Sequence, residues 1–386
     1  MLEILLTALF VITGIVLFVV LNGYLWEILY FSRTREDYTS YLFTSDGWRL
    51  AVHRYCPTKP RAGYPVVLCH GLDSNRFIFD LIPGPSLARF LTENGRDVWV
   101  AELRGSGMSD RPGFLATEVP RDWTFEDHLQ YDVPAIIHHV LRETGASRIH
   151  WVGHSMGGML IQAYLAAHSD APIASAVTAG APANFAYIRM KAVRILAKLR
   201  NFLRLFPVAP MPFNGRLILP IAHKLPGFLL GLFHPPNISA SVVRKIVAVG
   251  SELITSTRLW TDFGRFVATG VYAPENGKPY LENLGESTVP ILLLGGSEDL
   301  MAPPESICAA VGTGALGERI CHIFGKDQGC REDYGHIDLV VGERVVQEVY
   351  PVILRWLGDK DQVWEKTDVG APEKAYSSET LPTEGV

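Results

Sequence analysis

Apolar and polar positions along this chain fall into three patterns, and each predicts a different kind of element. From Ile4 to Trp26 the run ILLTALFVITGIVLFVVLNGYLW holds no charged side chain. A helix rises about 1.5 Å per residue, so such a run can cross the roughly 30 Å hydrocarbon core of a bilayer with some tilt. Tyr24, Trp26 and Tyr30 fall where an interfacial aromatic belt would lie. The segment has Glu3 at its start and no A-x-A site, which favours an uncleaved anchor over a signal peptide. Arg33 and Arg35 follow the run and no Lys or Arg precedes it, so the positive-inside rule places the body on the cytoplasmic side.

The second pattern begins with YTSYLFTSDGWRLAVHRY, Tyr38 to Tyr55, which reads as a hairpin turning at Asp46-Gly47. Short, wholly apolar runs then alternate with helical ones. Strands are expected at 65–68, 97–102, 148–152, 173–178, 289–294 and 319–324. Helices are expected at 86–93, 127–144, 158–167, near Glu305 and at 341–357. Continuous apolar strands separated by helices indicate a parallel sheet covered on both faces.

The third pattern interrupts the second. Residues 182–287 carry helical patterns without strands, rich in Leu, Phe, Pro and Arg. An insertion late in a parallel sheet is placed to cap the carboxyl ends of the strands, where ligands bind in open α/β sheets. After Asp359 the chain turns polar, the composition of a disordered tail. The expected organisation is therefore an anchor and link at 1–36, a core at 37–181 and 288–358 split by the cap at 182–287, and a tail at 359–386.

Composition changes this picture little. A net charge of −5 gives no electrostatic reason to expect a nucleic-acid partner. The five cysteines are odd in number and lack C-x-x-C spacing. A Cys321–Cys330 bridge is open, but free thiols are the more economical reading.

Candidate chemistry centres on IHWVGHSMGG, residues 149–158. A strand runs directly into a serine hemmed in by glycines, and a helix follows, the context that a G-x-S-x-G nucleophile turn requires. Serine is a weak nucleophile that needs a base, and the base needs an orienting group. His336, in Asp333-Tyr334-Gly335-His336, occupies the loop after the last expected strand. Asp299, in Gly295-Gly296-Ser297-Glu298-Asp299, follows the strand before it. A turn or N-cap aspartate is the bland alternative for Asp299, as a core histidine is for His70 in CHGLD. The chain order Ser155, Asp299, His336 is nonetheless that of one hydrolase architecture and no other. An oxyanion hole needs two N–H groups, for which Met156 and Leu72 stand in the right places.

At these residues the chain resembles the α/β-hydrolase superfamily, and within it the acid-lipase-like branch. The resemblance runs from about Tyr41 to Leu357, through PVVLCHGL, SLARFLTENGRDVWVAELRGSGMS, FEDHLQYDVPAIIHHVLRETGASRIHWVGHSMGG and DYGHIDLVVGERVVQEVYPVILRWL. It implies an α/β-hydrolase fold, a mostly parallel sheet flanked by helices, to which the patterns above add a helical cap and an N-terminal transmembrane helix. It also implies hydrolysis of carboxylic esters, often lipid ones, with no cofactor and no metal. A more distant likeness to polyhydroxyalkanoate synthases is weakened by Ser155, since those enzymes have cysteine there. In the cap, Ile188 to Phe206 interleaves basic and apolar residues, which suits either a membrane surface or an ordinary packed helix. LILPIAHKLPGFLLGLFHPP supplies an apolar roof that fits an acyl chain better than a sugar. The expected activity is thus a membrane-anchored serine hydrolase of lipid or other hydrophobic esters. An acyltransferase on the same fold, or a non-catalytic binding protein, are the alternatives; intact Ser155, Asp299 and His336 argue against the latter.

Overall fold

The computed structural model describes residues 2–30, 32–111, 122–198, 209–210, 232–252, 254–312 and 315–368. Its centre is one eight-stranded sheet built from β1 (Tyr38–Phe43), β2 (Arg49–Tyr55), β3 (Val66–Cys69), β4 (Val98–Glu102), β5 (Ile149–His154), β6 (Ile173–Ala179), β7 (Ile291–Gly296) and β8 (Arg319–Phe324). The order across the sheet is β1-β2-β4-β3-β5-β6-β7-β8. Only β2 runs against its neighbours; β4, β3, β5, β6, β7 and β8 pair in parallel. Every residue of β3 to β7 is buried. That is why these strands read as unbroken apolar runs and not as alternating ones.

Helices cover both faces. On one side α3 (Val133–Thr144) and α4 (Met156–Ala167) pack Ile136, Ile137, Val140, Leu160 and Ile161 against Val67, Trp99 and Trp151. On the other, α2 (Leu87–Glu93) and the C-terminal α9 (Tyr350–Asp368) pack Leu87, Leu91, Ile353 and Leu357 against Val66, Leu68 and Val98.

Between β6 and β7 lie α5 (Lys191–Lys198), α6 (Ala240–Val249) and α7 (Thr257–Thr269), and α8 (Pro304–Cys308) follows β7. Phe266 of α7 meets Phe125 and Phe185 with ring centroids 6.0 and 5.3 Å apart, so aromatic packing seats the insertion on the core. The expectation of an insertion without strands fails at one point, where Ala209–Pro210 pairs antiparallel with Ile254–Thr255. Of the basic segment Ile188 to Phe206, Lys191–Lys198 is helical, while residues 199–206 lie outside the described residues. Residues 217–231 of the apolar roof lie outside them too.

Other expectations are refined or corrected. The helix expected over 127–144 is present, begins two residues earlier at Phe125, and contains a π-helical turn, His128–Asp132, before α3. The wide turn brings the buried Asp132 carboxylate to His128 Nδ1 at 2.8 Å and to Arg104 Nε at 2.9 Å. The bond is made by Cys308 and Cys321, with Cα atoms 5.5 Å apart, and Cys330 is free. Cys321 faces α8, whereas Cys330 sits past the end of β8, its amide bonded to the Gly325 carbonyl. The segment expected as one helix over 341–357 is broken into Asp338–Val341, Val345–Glu348 and α9, with Gly342 ending the first piece and Pro351 in the first turn of the last.

The tail does not begin at Asp359. Helix α9 continues to Asp368 because Asp361 is buried, accepting hydrogen bonds from the Tyr64 amide (2.9 Å) and His150 Nε2 (3.0 Å) and pairing with Arg96. Residues 369–386, expected to be disordered, lie outside the described residues.

The first run forms α1, a 28-residue helix from Leu2 to Leu29. Among the described residues no helix is long and apolar enough to cross a membrane, so the transmembrane helix expected from Ile4 to Trp26 is not found there. The side chains of Ile4, Leu5, Ile12, Val16, Val19 and Val20 lie outside the described residues.

Removing Asp361 leaves the Arg96 charge buried without its counter-ion. Asp361→Ala is expected to cost about 3–5 kcal/mol in a urea titration, whereas deletion of residues 369–386 leaves the midpoint unchanged. Equal midpoints for Asp361→Ala and wild type would show that α9 is not tied down in this way.

Candidate active site

Strand β5 delivers Ser155 to a turn that few sequences could form. Ser155 has φ 51° and ψ −120°, a region that costs a non-glycine residue about 1–3 kcal/mol. The surroundings hold it there. Its amide donates to the Ala179 carbonyl at 2.8 Å, and its carbonyl accepts from the Gly158 and Met159 amides at 2.9 and 3.0 Å. Close backbone approach does the rest. A Cβ on Gly153 would lie 2.3 Å from Gly157 C, and one on Gly157 would lie 2.2 Å from the Cys69 carbonyl oxygen.

His336 arrives from the loop after β8. Its Nε2 lies 2.9 Å from Ser155 Oγ and its Nδ1 lies 2.8 Å from Asp299 Oδ2. Asp299 Oδ1 accepts the amides of Met301 at 2.8 Å and Ala302 at 2.7 Å, which fixes the carboxylate in one orientation. The neighbouring Glu298 is exposed. With Nδ1–H given to the carboxylate, Nε2 is left to accept from the serine hydroxyl. Asp299 and His336 are buried and Ser155 is half-buried, so the reactive oxygen is the open end of the relay.

Two supports around the histidine were not singled out from the sequence. Gly180, at φ 61° just past β6, passes under the pair; a Cβ there would meet His336 Nδ1 at 3.1 Å and Asp299 Oδ2 at 3.5 Å. Asp338 is buried beneath the loop and accepts from the Gly335 amide (2.9 Å), the His234 amide (3.1 Å) and Asn237 Nδ2 (3.3 Å). Burial pushes its pKa up to about 6 despite those donors. The signal available for Gly180 was its place directly after an apolar strand; for Asp338 there was none.

The other side of Ser155 is lined by the turn after β3. A Cβ on Gly71 would sit 2.8 Å from Ser155 Cβ, so the chain passes against Ser155 only because residue 71 is glycine. His70 is buried, as its bland reading held, yet it also shapes this turn. Its Nδ1 donates to the Gly71 carbonyl at 2.8 Å and its Nε2 accepts from the Leu103 amide at 3.1 Å. Burial lowers its pKa to about 4, so the ring stays neutral and keeps that tautomer. Leu72 follows Gly71, and Met156 opens α4, where the first amides have no partner within the helix. A cavity of about 330 Å³ lined by Ala183, Asn184, Leu281, Glu282 and Arg319 touches none of Ser155, Asp299 or His336. Among the described residues no cluster of His, Cys, Asp and Glu could hold a metal ion.

The family described as alpha/beta hydrolase fold matches residues 64–312, which include Ser155 and Asp299 and end before His336. Lipase 1 of Drosophila melanogaster is 26% identical over 382 residues, covering 89% of this chain and 80% of that one. Gastric triacylglycerol lipase of Homo sapiens is 24% identical over 394 residues, covering 86% and 90%. Among solved structures, an esterase from Exiguobacterium antarcticum superposes with a TM-score of 0.54 at 17% identity, over 83% of this chain and 99% of that one; the likeness is one of fold.

The contact between residue 71 and Ser155 makes a direct prediction. Gly71→Ala forces either the loop or the serine to move by several tenths of an ångström, and misplacement on that scale costs about tenfold or more in rate. Ester turnover of the purified variant should fall by that factor with little change in melting temperature; unaltered turnover would mean that the turn does not press on Ser155.

Proposed function

The chain belongs to the alpha/beta hydrolase fold family, and from that premise we propose that it is a serine carboxylic ester hydrolase acting on lipid or other hydrophobic esters. The observation that carries this reading is the continuous relay Ser155 Oγ, His336, Asp299, with both links under 3 Å.

The chemistry follows from the atoms. Ser155 Oγ attacks the ester carbonyl carbon as its proton passes to His336 Nε2. Asp299 stabilises the imidazolium so formed and keeps it in one orientation. The carbonyl π electrons move onto oxygen, and the Leu72 and Met156 amides are the donors positioned to meet that charge; one such donor is worth about 10²–10³ in rate. Collapse of the intermediate expels the alcohol, which takes the proton from Nε2, and leaves an acyl ester on Ser155. Water then repeats the sequence, with His336 again as base, and releases the carboxylic acid.

The lipid character of the substrate is supported by the two lipases that the chain resembles and by the apolar composition of residues 217–236. Attachment to a membrane through α1 belongs to the same reading. Leu9, Phe10, Ile15, Leu17, Phe18, Leu21 and Ile28 are exposed around most of that helix, a surface that an apolar phase suits better than water. Disulfides persist in oxidising compartments, so the Cys308–Cys321 bond supports a body on that side, against the orientation favoured by Arg33 and Arg35.

Ser155→Ala should abolish turnover of a p-nitrophenyl ester, by about a million-fold, together with labelling by a fluorophosphonate. Asp299→Asn should lose about 10⁴-fold because it holds the wrong tautomer of His336, while Glu298→Gln stays near wild type. Substantial esterase activity in folded Ser155→Ala, or a greater loss in Glu298→Gln, would overturn the assignment. For the membrane, the full-length protein should resist carbonate and high salt, and alkylation without reduction should leave two of the five cysteines unmodified. Release by salt would remove the anchor, and alkylation of all five would return the body to a reducing compartment.

A further inference from the structure

The turn that carries Leu72 is held at one end by His70. At its other end it is held by the insertion between β6 and β7. We propose that Asn75, Glu252 and Trp260 are positioning residues that keep the Leu72 amide in register with Ser155, so that docking of the insertion completes the oxyanion hole. The proposal rests on the reading of Leu72 as an oxyanion donor.

The Ser74 amide reaches the Gly71 carbonyl at 3.4 Å, and Asp73 takes φ 53°, a conformation that L residues rarely adopt. The bonds that define it cross to the segment joining α6 and α7. The Glu252 amide donates to the Asp73 carbonyl at 2.9 Å, and Ser74 forms a β-bridge with Ser251. Trp260 Nε1 donates to Asp73 Oδ2 at 3.0 Å. Asn75 Nδ2 donates both to the Val249 carbonyl and to Glu252 Oε1, each at 2.9 Å, while its Oδ1 accepts from the Phe77 amide at 3.1 Å.

Glu252 is the hub of this contact. It is a buried carboxylate, and Oε1 also accepts from the Gly107 amide at 2.8 Å while Oε2 pairs with Arg111 at 3.0 Å. One side chain therefore joins the insertion, the turn after β3 and the loop after β4. Behind it, Ala248 and Val249 of α6 cluster with Phe77, and Trp26 of α1 and Tyr30 just beyond that helix pack against the cluster. The segment is clamped on both sides, and Leu72 is strung between this clamp and the His70 staple. Displacing it would move the Leu72 amide without touching Ser155, His336 or Asp299. Electrostatic stabilisation by a donor depends on its being fixed in place before charge develops, which is what such a clamp supplies.

A positioning role differs from a merely structural one in what it changes. The test uses the full-length protein, a soluble p-nitrophenyl ester and a trifluoromethyl ketone. The ketone bonds to Ser155 Oγ as its carbonyl electrons move onto oxygen, and the serine proton passes to His336. Its affinity thus reports the oxyanion hole, whereas KM for the ester does not. Trp260→Phe should lower kcat by about tenfold or more and weaken the ketone by the same factor, with KM and Tm little changed. Glu252→Ala should lose at least as much of both, together with a fall in Tm from the donors left unpaired, and Glu252→Gln keeps an acceptor for Asn75 and Gly107 and should recover most of the loss. The inference is overturned if kcat and ketone affinity stay at wild-type values, if KM alone rises, or if the losses in Trp260→Phe follow a fall in Tm. A wild-type protein that neither hydrolyses the ester nor binds the ketone would instead sink the ester-hydrolase reading, and this inference with it.

Discussion

The close approach of three backbone segments around Ser155 is the constraint on which the rest of the site depends. The end of β3, the β5–α4 turn and the Gly71 turn come so near one another that a Cβ on Gly157, Gly153 or Gly71 would lie 2.2–2.8 Å from the facing atoms. Only glycine permits that approach. Once it is made, the serine is locked at φ 51° at the start of α4, with its Oγ 2.9 Å from His336 Nε2. The cost of that strained conformation is met by the hydrogen bonds of the turn and by the rigidity of five fully buried strands. Everything else near the site consists of loops brought to a point that the sheet has already fixed.

Those loops are also held by buried polar groups with several partners each. Asp338 holds the His336 loop, Glu252 the turn after β3, and Asp132 joins Arg104 to the turn before α3. Buried charges of this kind add little net stability compared with apolar replacements of similar volume, because desolvation offsets most of the attraction. Their effect is selective. An incorrectly placed loop would leave a buried carboxylate without donors, a penalty large enough to exclude the alternative arrangements. The same groups connect the insertion to the surroundings of Ser155 from two directions, through His234 and Asn237 at the His336 loop and through Val249, Glu252 and Trp260 at the turn that carries Leu72.

What the sequence disclosed follows a physical division. Strands buried at every position announce themselves as apolar runs, and a strand-turn-helix around a serine is a local pattern, so the parallel sheet and the places of Ser155, Asp299 and His336 were legible. Features set by distant contacts were not. Nothing near Asp361 says that Arg96 and His150 lie beside it, so the last helix was expected to end at residue 357, well short of Asp368. Spacing could not show that β8 turns Cys321 towards α8, hence towards Cys308 and away from Cys330. The role of Gly180 and the grip of the insertion on residues 73–75 likewise exist only after folding. The long apolar run at the start was visible in the sequence, and the helix that it forms is observed, but the lipid it is proposed to meet lies outside the chain.

The central claim is that ester cleavage proceeds through an acyl group carried on Ser155. Rapid acid quenching of the wild-type protein during turnover of a slowly deacylating p-nitrophenyl ester, followed by peptide mass mapping, addresses it most directly. The account predicts a mass increase equal to the acyl group on the peptide that contains Ser155, appearing in step with a burst of one equivalent of p-nitrophenol. Turnover with that peptide unmodified, or an acyl group on another residue that forms at the burst rate, would contradict it.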